Sequence, residues 1–258
     1  MMKNLLVGIF TTIITLSFVA TYKLTHKYIS HGELGNYLQR LTSKYTSISR
    51  LYQIGTSVQG RPLWVVEISS RPGTHEMLEP EFKYIGNMHG DEAAGRQVLL
   101  NLIEHLLLSY ETDDQIRRLV DTTRIHILCS MNPDGFEAAR NHSKGYHLLH
   151  DGRDNANGID LNRNFPDPFN KPFYGEKQQK ETKATMKWLN DYPFVLSANL
   201  HGGAVVVNYP YDNFKMELPF DHYEPVYAAA PDDDIFRYVI FYNIPLLNLD
   251  SILTSKIS

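Results

Sequence analysis

The chain has 258 residues with 43% hydrophobic and 21% charged side chains, enough for one large domain or two small ones around a substantial core. Its net charge of -4 gives no general attraction to nucleic acid or to anionic lipid, so any positive site has to be local. No internal repeat or low-complexity tract interrupts it.

Lys3 precedes an uncharged, mostly apolar stretch from Leu5 to Ala20, sixteen residues long, which suits a secretory signal peptide over residues 1–21 and is short for a membrane span. An uncleaved signal anchor, giving membrane association through this segment, is the alternative, with a buried helix behind both. Phe18 is bulkier than the small residue usual before a cut at Ala20. The sequon Asn141-His142-Ser143 is compatible with a secretory, extracellular or membrane-associated glycoprotein. Cys129 is the single cysteine, so the chain forms no internal disulfide, and "RIHILCSMN" reads as a buried strand thiol.

In chain order, "HGELGNYLQRLTSKY" predicts a helix, and "RLYQIGTSV" and "PLWVVEIS" predict a hairpin joined through "QGR". After a loop with Arg71-Pro72-Gly73 comes "EFKYIGNMH", a strand ending at a histidine. Val98, Leu99, Leu102, Ile103, Leu106 and Leu107 form a helical stripe, so a helix is expected over about 93–110. "RIHILCSM" is the next strand, and "NPDG" is expected to turn the chain out of it. A long loop over roughly 140–175 precedes a helix at 178–191 and the strand "FVLSANLH". Alternating strands and helices imply an α/β sandwich around a mixed, mostly parallel sheet. Two strands then end at His89 and His201, at the carboxyl edge where such sheets place ligands.

"GRDNANGIDLNRNFPD" crowds Arg153, Arg163 and several asparagines into residues 152–167. A polar turn would use these residue types for backbone reasons. A carboxylate-gripping loop would use them because an arginine fork matches two carboxylate oxygens. His89 and Glu92 in "HGDE" are a weak pair alone, since a turn histidine and an acid at a helix start are common. With His201 in "NLHGG", they make two histidines and a glutamate with a position left open, a set suited to one zinc ion.

"NMHGDEAAG", "SMNPDGFE", "GRDNANGIDLNRNFPD" and "NLHGGAVVVNYPYD" resemble the successive motifs of the zinc metallocarboxypeptidases, in particular the regulatory branch that contains carboxypeptidases D, E, M and N. The resemblance runs from about residue 30 to about 238 and implies a catalytic domain over 25–238. By that resemblance His89, Glu92 and His201 hold the zinc, and Arg153 stabilises the oxyanion of the scissile carbonyl. Asn162 and Arg163 hold the substrate's terminal carboxylate. Asp212, eleven residues past His201, is similar to the acid that selects a basic side chain, a turn aspartate being the alternative. The implied activity is release of C-terminal Lys or Arg from peptides or proteins with a free C-terminus.

The resemblance stops near Val239, and residues 239–258 form a divergent tail, too broken by Asn243, Pro245 and Asn248 for a membrane span. The family's late general-base glutamate and its tyrosine have no counterpart. Nothing after Glu224 is a glutamate, and Tyr238, Tyr242 and Asp250 lack the matching context. The expectation is a C-terminally truncated chain, the last strands of the fold missing. It is then either an enzyme, an impaired isoform that binds zinc and peptide ends without efficient turnover, or a poorly folding fragment. A zinc deacylase is a more remote reading, disfavoured by Arg153, Asn162 and Arg163.

Overall fold

A computed structural model describes residues 28–142, 152–167, 177–204, 206–212 and 229–243. The leader at 1–21, Ser143 of the sequon, Glu224, Asp250 and most of the 239–258 tail lie outside these residues. The chain divides into two compact units, one of residues 23–166 with 172–202, the other of 1–22, 167–171 and 203–258.

The larger unit opens with α1 (His31–Lys44), started by a capping box in which the Ser30 hydroxyl accepts from Glu33 N–H while the Glu33 carboxylate accepts from Ser30 N–H. Leu34, Leu38 and Leu41 line its buried face. β1 (Ser49–Thr56) and β2 (Pro62–Ile68) form the expected antiparallel hairpin, with a register shift between Gln53 and Thr56. β3 (Glu81–Gly86) leads into α2 (Ala93–Ser109), then into α3 (Asp114–Thr122) and β4 (Arg124–Leu128). The sequence reading had no helix at 114–122. Asp113 starts it by accepting from Gln115 N–H and Ile116 N–H. α4 (Pro133–His142), α5 (Lys180–Asp191) and β5 (Phe194–Leu200) complete the unit.

The five strands form one mixed sheet in the order β1-β2-β4-β3-β5, with β2 antiparallel to β4 and β3 parallel to both β4 and β5. Successive residues of β3 face opposite sides. Ile85 packs with Trp188 of α5, together with Leu63, Val65 and Leu128, whereas a Cβ at Gly86 would lie 2.9 Å from Leu99 of α2. Helices therefore cover both faces. Cys129 is buried just beyond β4, and burial pushes its thiol up to about 12.

Two boundaries differ from expectation, each for a local reason. β3 ends at Gly86, three residues before His89, because Asn87 takes φ 58°, outside the strand region. "NPDG" does not merely turn the chain: it starts α4. Asn132 Oδ1 accepts from Gly135 N–H at 2.9 Å, and Pro133 occupies the first helical position, where its missing N–H costs nothing.

In the smaller unit, a helix α6 (Asp233–Asn243) runs across residue 238, and Phe236 stacks on Tyr209 with centroids 6.1 Å apart. Among the described residues no helix is long and apolar enough to cross a membrane.

Candidate metal centre

The parallel pairing of β3 with β5 matches Gly86 to Leu200, so the segments leaving both strands emerge at the same edge. His89 and Glu92 lie in the turn between β3 and α2, and His201 is the first residue past β5. One ligand atom from each of the three lies within 4.8 Å of the others. Glu92 sits between the histidines: His89 Nδ1 is 3.0 Å from Oε1 and His201 Nδ1 is 3.1 Å from Oε2. Gly202 N–H donates to Oε2 at 2.7 Å, and a Cβ at Gly202 would meet Glu92 Cγ at 3.1 Å, so the residue after His201 has to be small. Burial works against ionisation of Glu92, but the Gly202 N–H and the two imidazoles outweigh it and hold the carboxyl below its usual range.

Asp160 completes the centre, and the sequence reading missed it. Its Oδ1 lies 3.0 Å from His89 Nε2, and its Oδ2 accepts from Arg153 Nη2 at 2.8 Å. Burial raises its carboxyl, yet His89, the Asn162 N–H and Arg153 pull it well below the carboxylate range. His89 therefore has a carboxylate oxygen 3.0 Å from each ring nitrogen. A neutral ring can donate to only one of them, and with Nε2–H given to Asp160 its Nδ1 lone pair faces an anionic oxygen. A cation held by His89 Nδ1, Glu92 and His201 Nδ1 removes that repulsion, so the donor set fits zinc, with Asp160 fixing the tautomer.

Arg153 Nη1 lies 3.6 Å from Glu92 Oε1, which brings this guanidinium to the same centre. The rest of the loop divides by burial. Asn155 is buried and structural, donating to Gln179 Oε1 and Glu181 Oε2 while accepting from Asn157 N–H and Ile159 N–H. Asn164 is buried as well and accepts from Gln179 N–H at 2.7 Å, just before α5. Asn162 and Arg163 are exposed, on a 3-10 turn (Leu161–Arg163) begun when Asp160 Oδ1 accepts from Asn162 N–H. Asp160 thus links this turn to His89. Asp212 belongs to the smaller unit, where it is exposed and accepts from Asn208 Nδ2 at 2.9 Å.

Residues 34–240 match the model of the zinc carboxypeptidase family (Peptidase_M14). The chain belongs to that family. Carboxypeptidase D of Anas platyrhynchos is 50% identical over 212 residues, which are 82% of this chain and 14% of that protein. Carboxypeptidase M of Mus musculus is 45% identical over 218 residues, 84% of this chain and 47% of that protein. These relatives place the zinc carboxypeptidase chain in the regulatory branch, and it spans about half of their length or much less. The crystal structure of carboxypeptidase A from Helicoverpa armigera aligns with a TM-score of 0.59 at 20% identity, over 79% of this chain and 53% of that one, a likeness of fold.

Proposed function

We propose that the chain is a zinc-dependent metallocarboxypeptidase unit that acts on peptides or proteins with a free C-terminus and prefers Lys or Arg as the last residue. The observation that carries this reading is the meeting of His89, His201 and the Arg153 guanidinium around the Glu92 carboxylate, beside an exposed Asn162-Arg163 turn. Bound zinc supplies Lewis acidity toward a peptide carbonyl. Asp160 keeps the His89 ring oriented. Arg153 offers donors to the negative charge that develops on the carbonyl oxygen, once a substrate draws it from Asp160. Arg163, with Asn162, grips the terminal carboxylate, and an internal peptide bond has no such group to offer. Asp212 provides a carboxylate for a cationic side chain, by its position in the family motif. The uncharged stretch from Leu5 to Ala20 supports a secretory route, with release or membrane association as its outcome. A catalytic domain over 25–238 and a divergent tail over 239–258 belong to the same reading.

A second reading, an isoform that binds zinc and peptide ends but turns them over slowly, is favoured by one observation. Among the described residues the two carboxylates at the centre, Glu92 and Asp160, are each engaged by a histidine and by a backbone N–H, so neither is available to move a proton. General acid–base catalysis contributes about a hundredfold to ten-thousandfold, so its loss would leave binding with little release.

Binding and release are measured together on four ligands: peptides ending in free Arg, amidated Arg, free Lys and free Leu, offered to the zinc-loaded chain and to Asp212→Ala. Amidation removes the charge-assisted pairing with Arg163 and is expected to weaken binding about tenfold to a hundredfold. The preference of Arg and Lys over Leu should vanish in Asp212→Ala. Equal binding of free and amidated ends contradicts the carboxylate grip, and an unchanged preference removes the role of Asp212.

A further inference from the structure

Two buried asparagines, Asn87 after β3 and Asn132 after β4, stand at the ends of adjacent parallel strands, and the Asn132 N–H donates to the Asn87 carbonyl at 3.0 Å. Each spends its side chain on one half of the metal centre. Asn87 Nδ2 donates to the carbonyls of His89 and Gly90, both at 2.8 Å, and its Oδ1 accepts from the Ser130 hydroxyl at 2.8 Å. It therefore closes the turn that carries His89 and Glu92. Asn132 Oδ1 caps α4, while its Nδ2 donates to the Arg153 carbonyl at 3.0 Å. The same carbonyl accepts from Gly90 N–H at 3.3 Å, so the histidine turn and the arginine loop share one acceptor.

The seam between these segments is built mostly from backbone, with the Ala139 methyl and the Asn132 amide beside it. A Cβ at Gly90 would lie 2.2 Å from the carbonyl carbon of Gly135, and one at Gly135 would lie 2.4 Å from the Gly152 carbonyl oxygen. Gly152 itself takes φ 94°. No side chain fits at any of the three, so the backbone before Arg153 sits directly on α4 and on the histidine turn. With side chains excluded at these glycines, the depth of the loop is set by hydrogen bonds, and the Asn132 amide is a side chain whose donor ends on Arg153.

We propose that Asn132 is a positioning residue that sets the Arg153 guanidinium against the metal group, keyed through its backbone to Asn87, which holds the histidine turn. This deepens the reading of Arg153 as the group that meets the carbonyl oxygen, and rests on it. Asn132→Asp separates the positioning role from a structural one. A carboxylate keeps the acceptor that caps α4, where a negative charge is favourable, but it has no donor for the Arg153 carbonyl.

The test compares the full chain with Asn132→Asp, Asn132→Ala, Arg153→Ala and the double variant Asn132→Asp/Arg153→Ala. The readouts are thermal stability, zinc affinity by competition with a chromophoric chelator, hydrogen exchange of the Gly90 amide, and affinity of the zinc-loaded protein for a phosphonate analogue of a peptide ending in Arg. Asn132→Asp is expected to fold with some loss of stability, because its carboxylate is buried facing a carbonyl oxygen, and to hold zinc within about threefold of the parent. It should bind the phosphonate roughly tenfold to a hundredfold more weakly, the size expected of a small misplacement, and exchange the Gly90 amide faster. The double variant should bind the phosphonate no more weakly than Arg153→Ala, because both changes remove one interaction. Asn132→Ala should lose stability in addition. Phosphonate binding by Asn132→Asp at the parent level, or losses that add in the double variant, would overturn the proposal. If Arg153→Ala binds the phosphonate normally, the reading of Arg153 fails, and an unchanged Gly90 exchange rate in Asn132→Asp would then overturn the clamp on its own.

Discussion

Lys83 projects from β3 onto the sheet face that carries His126, is 6% exposed, and has the Phe194 ring 5.8 Å from its Nζ. Burial of the ammonium brings its pKa down to about 8 from 10.5. Between those values the unfolded chain keeps a proton that the folded one has lost, so stability rises with pH across that window, and below pH 8 the buried charge opposes folding. Lys83→Met should therefore be more stable than the parent at pH 7 by a few kcal/mol, with the gap closing toward pH 10.5 in denaturant titrations. A gap that stays constant over that range would show that the charge is not the cause. Asp160 acts at the centre itself. Removing its negative charge with Asp160→Asn should weaken zinc binding by about tenfold to a hundredfold, measured by chelator competition. At this scale the pairing of His89 with Glu92 was legible from their spacing in one short motif, whereas His201 and Arg153 were singled out through the resemblance of their motifs to the family. Asp160 was not, since its meeting with His89 spans 71 residues, although an acid two positions before Asn162 was a usable signal.

Elements were legible where a single periodicity decides them, as in α1, α2, α5 and the β1–β2 hairpin. They were less so where one buried side chain redirects the backbone, as Asn87 does after β3 and Asn132 does before α4. The polar interior of the sheet was invisible because its partners lie far apart in the sequence. Trp188 Nε1–H donates to the Tyr52 hydroxyl at 2.8 Å, and that hydroxyl donates to His126 Nδ1 at 2.8 Å. His126 Nε2–H in turn faces Glu81 at 3.2 Å, while Arg124 bridges Glu81 and Glu67 at 2.9 and 2.8 Å. Burial lowers the His126 pKa despite the two glutamates, consistent with a neutral ring in this relay. Tyr52→Phe keeps the ring and strands two buried polar atoms, one on Trp188 and one on His126. A loss of about 1–3 kcal/mol per stranded group is expected, measured by denaturant unfolding. A neutral result would mean that the hydroxyl is not the link joining α5, β1 and β4.

For the whole molecule, the larger unit contains the metal group, Arg153 and the Asn162-Arg163 turn, and the smaller unit contains Asp212. The family and its fold were legible because four motifs recur in order over most of the chain. The division into units was not, because it follows contacts that no local pattern records. The central claim is that His89, Glu92 and His201 form a zinc site in the folded chain, and zinc content after dialysis against a weak chelator tests it most directly. One zinc per chain is predicted for the parent protein, and loss of most of that zinc for a folded His201→Ala variant. Full zinc occupancy in His201→Ala would contradict the site.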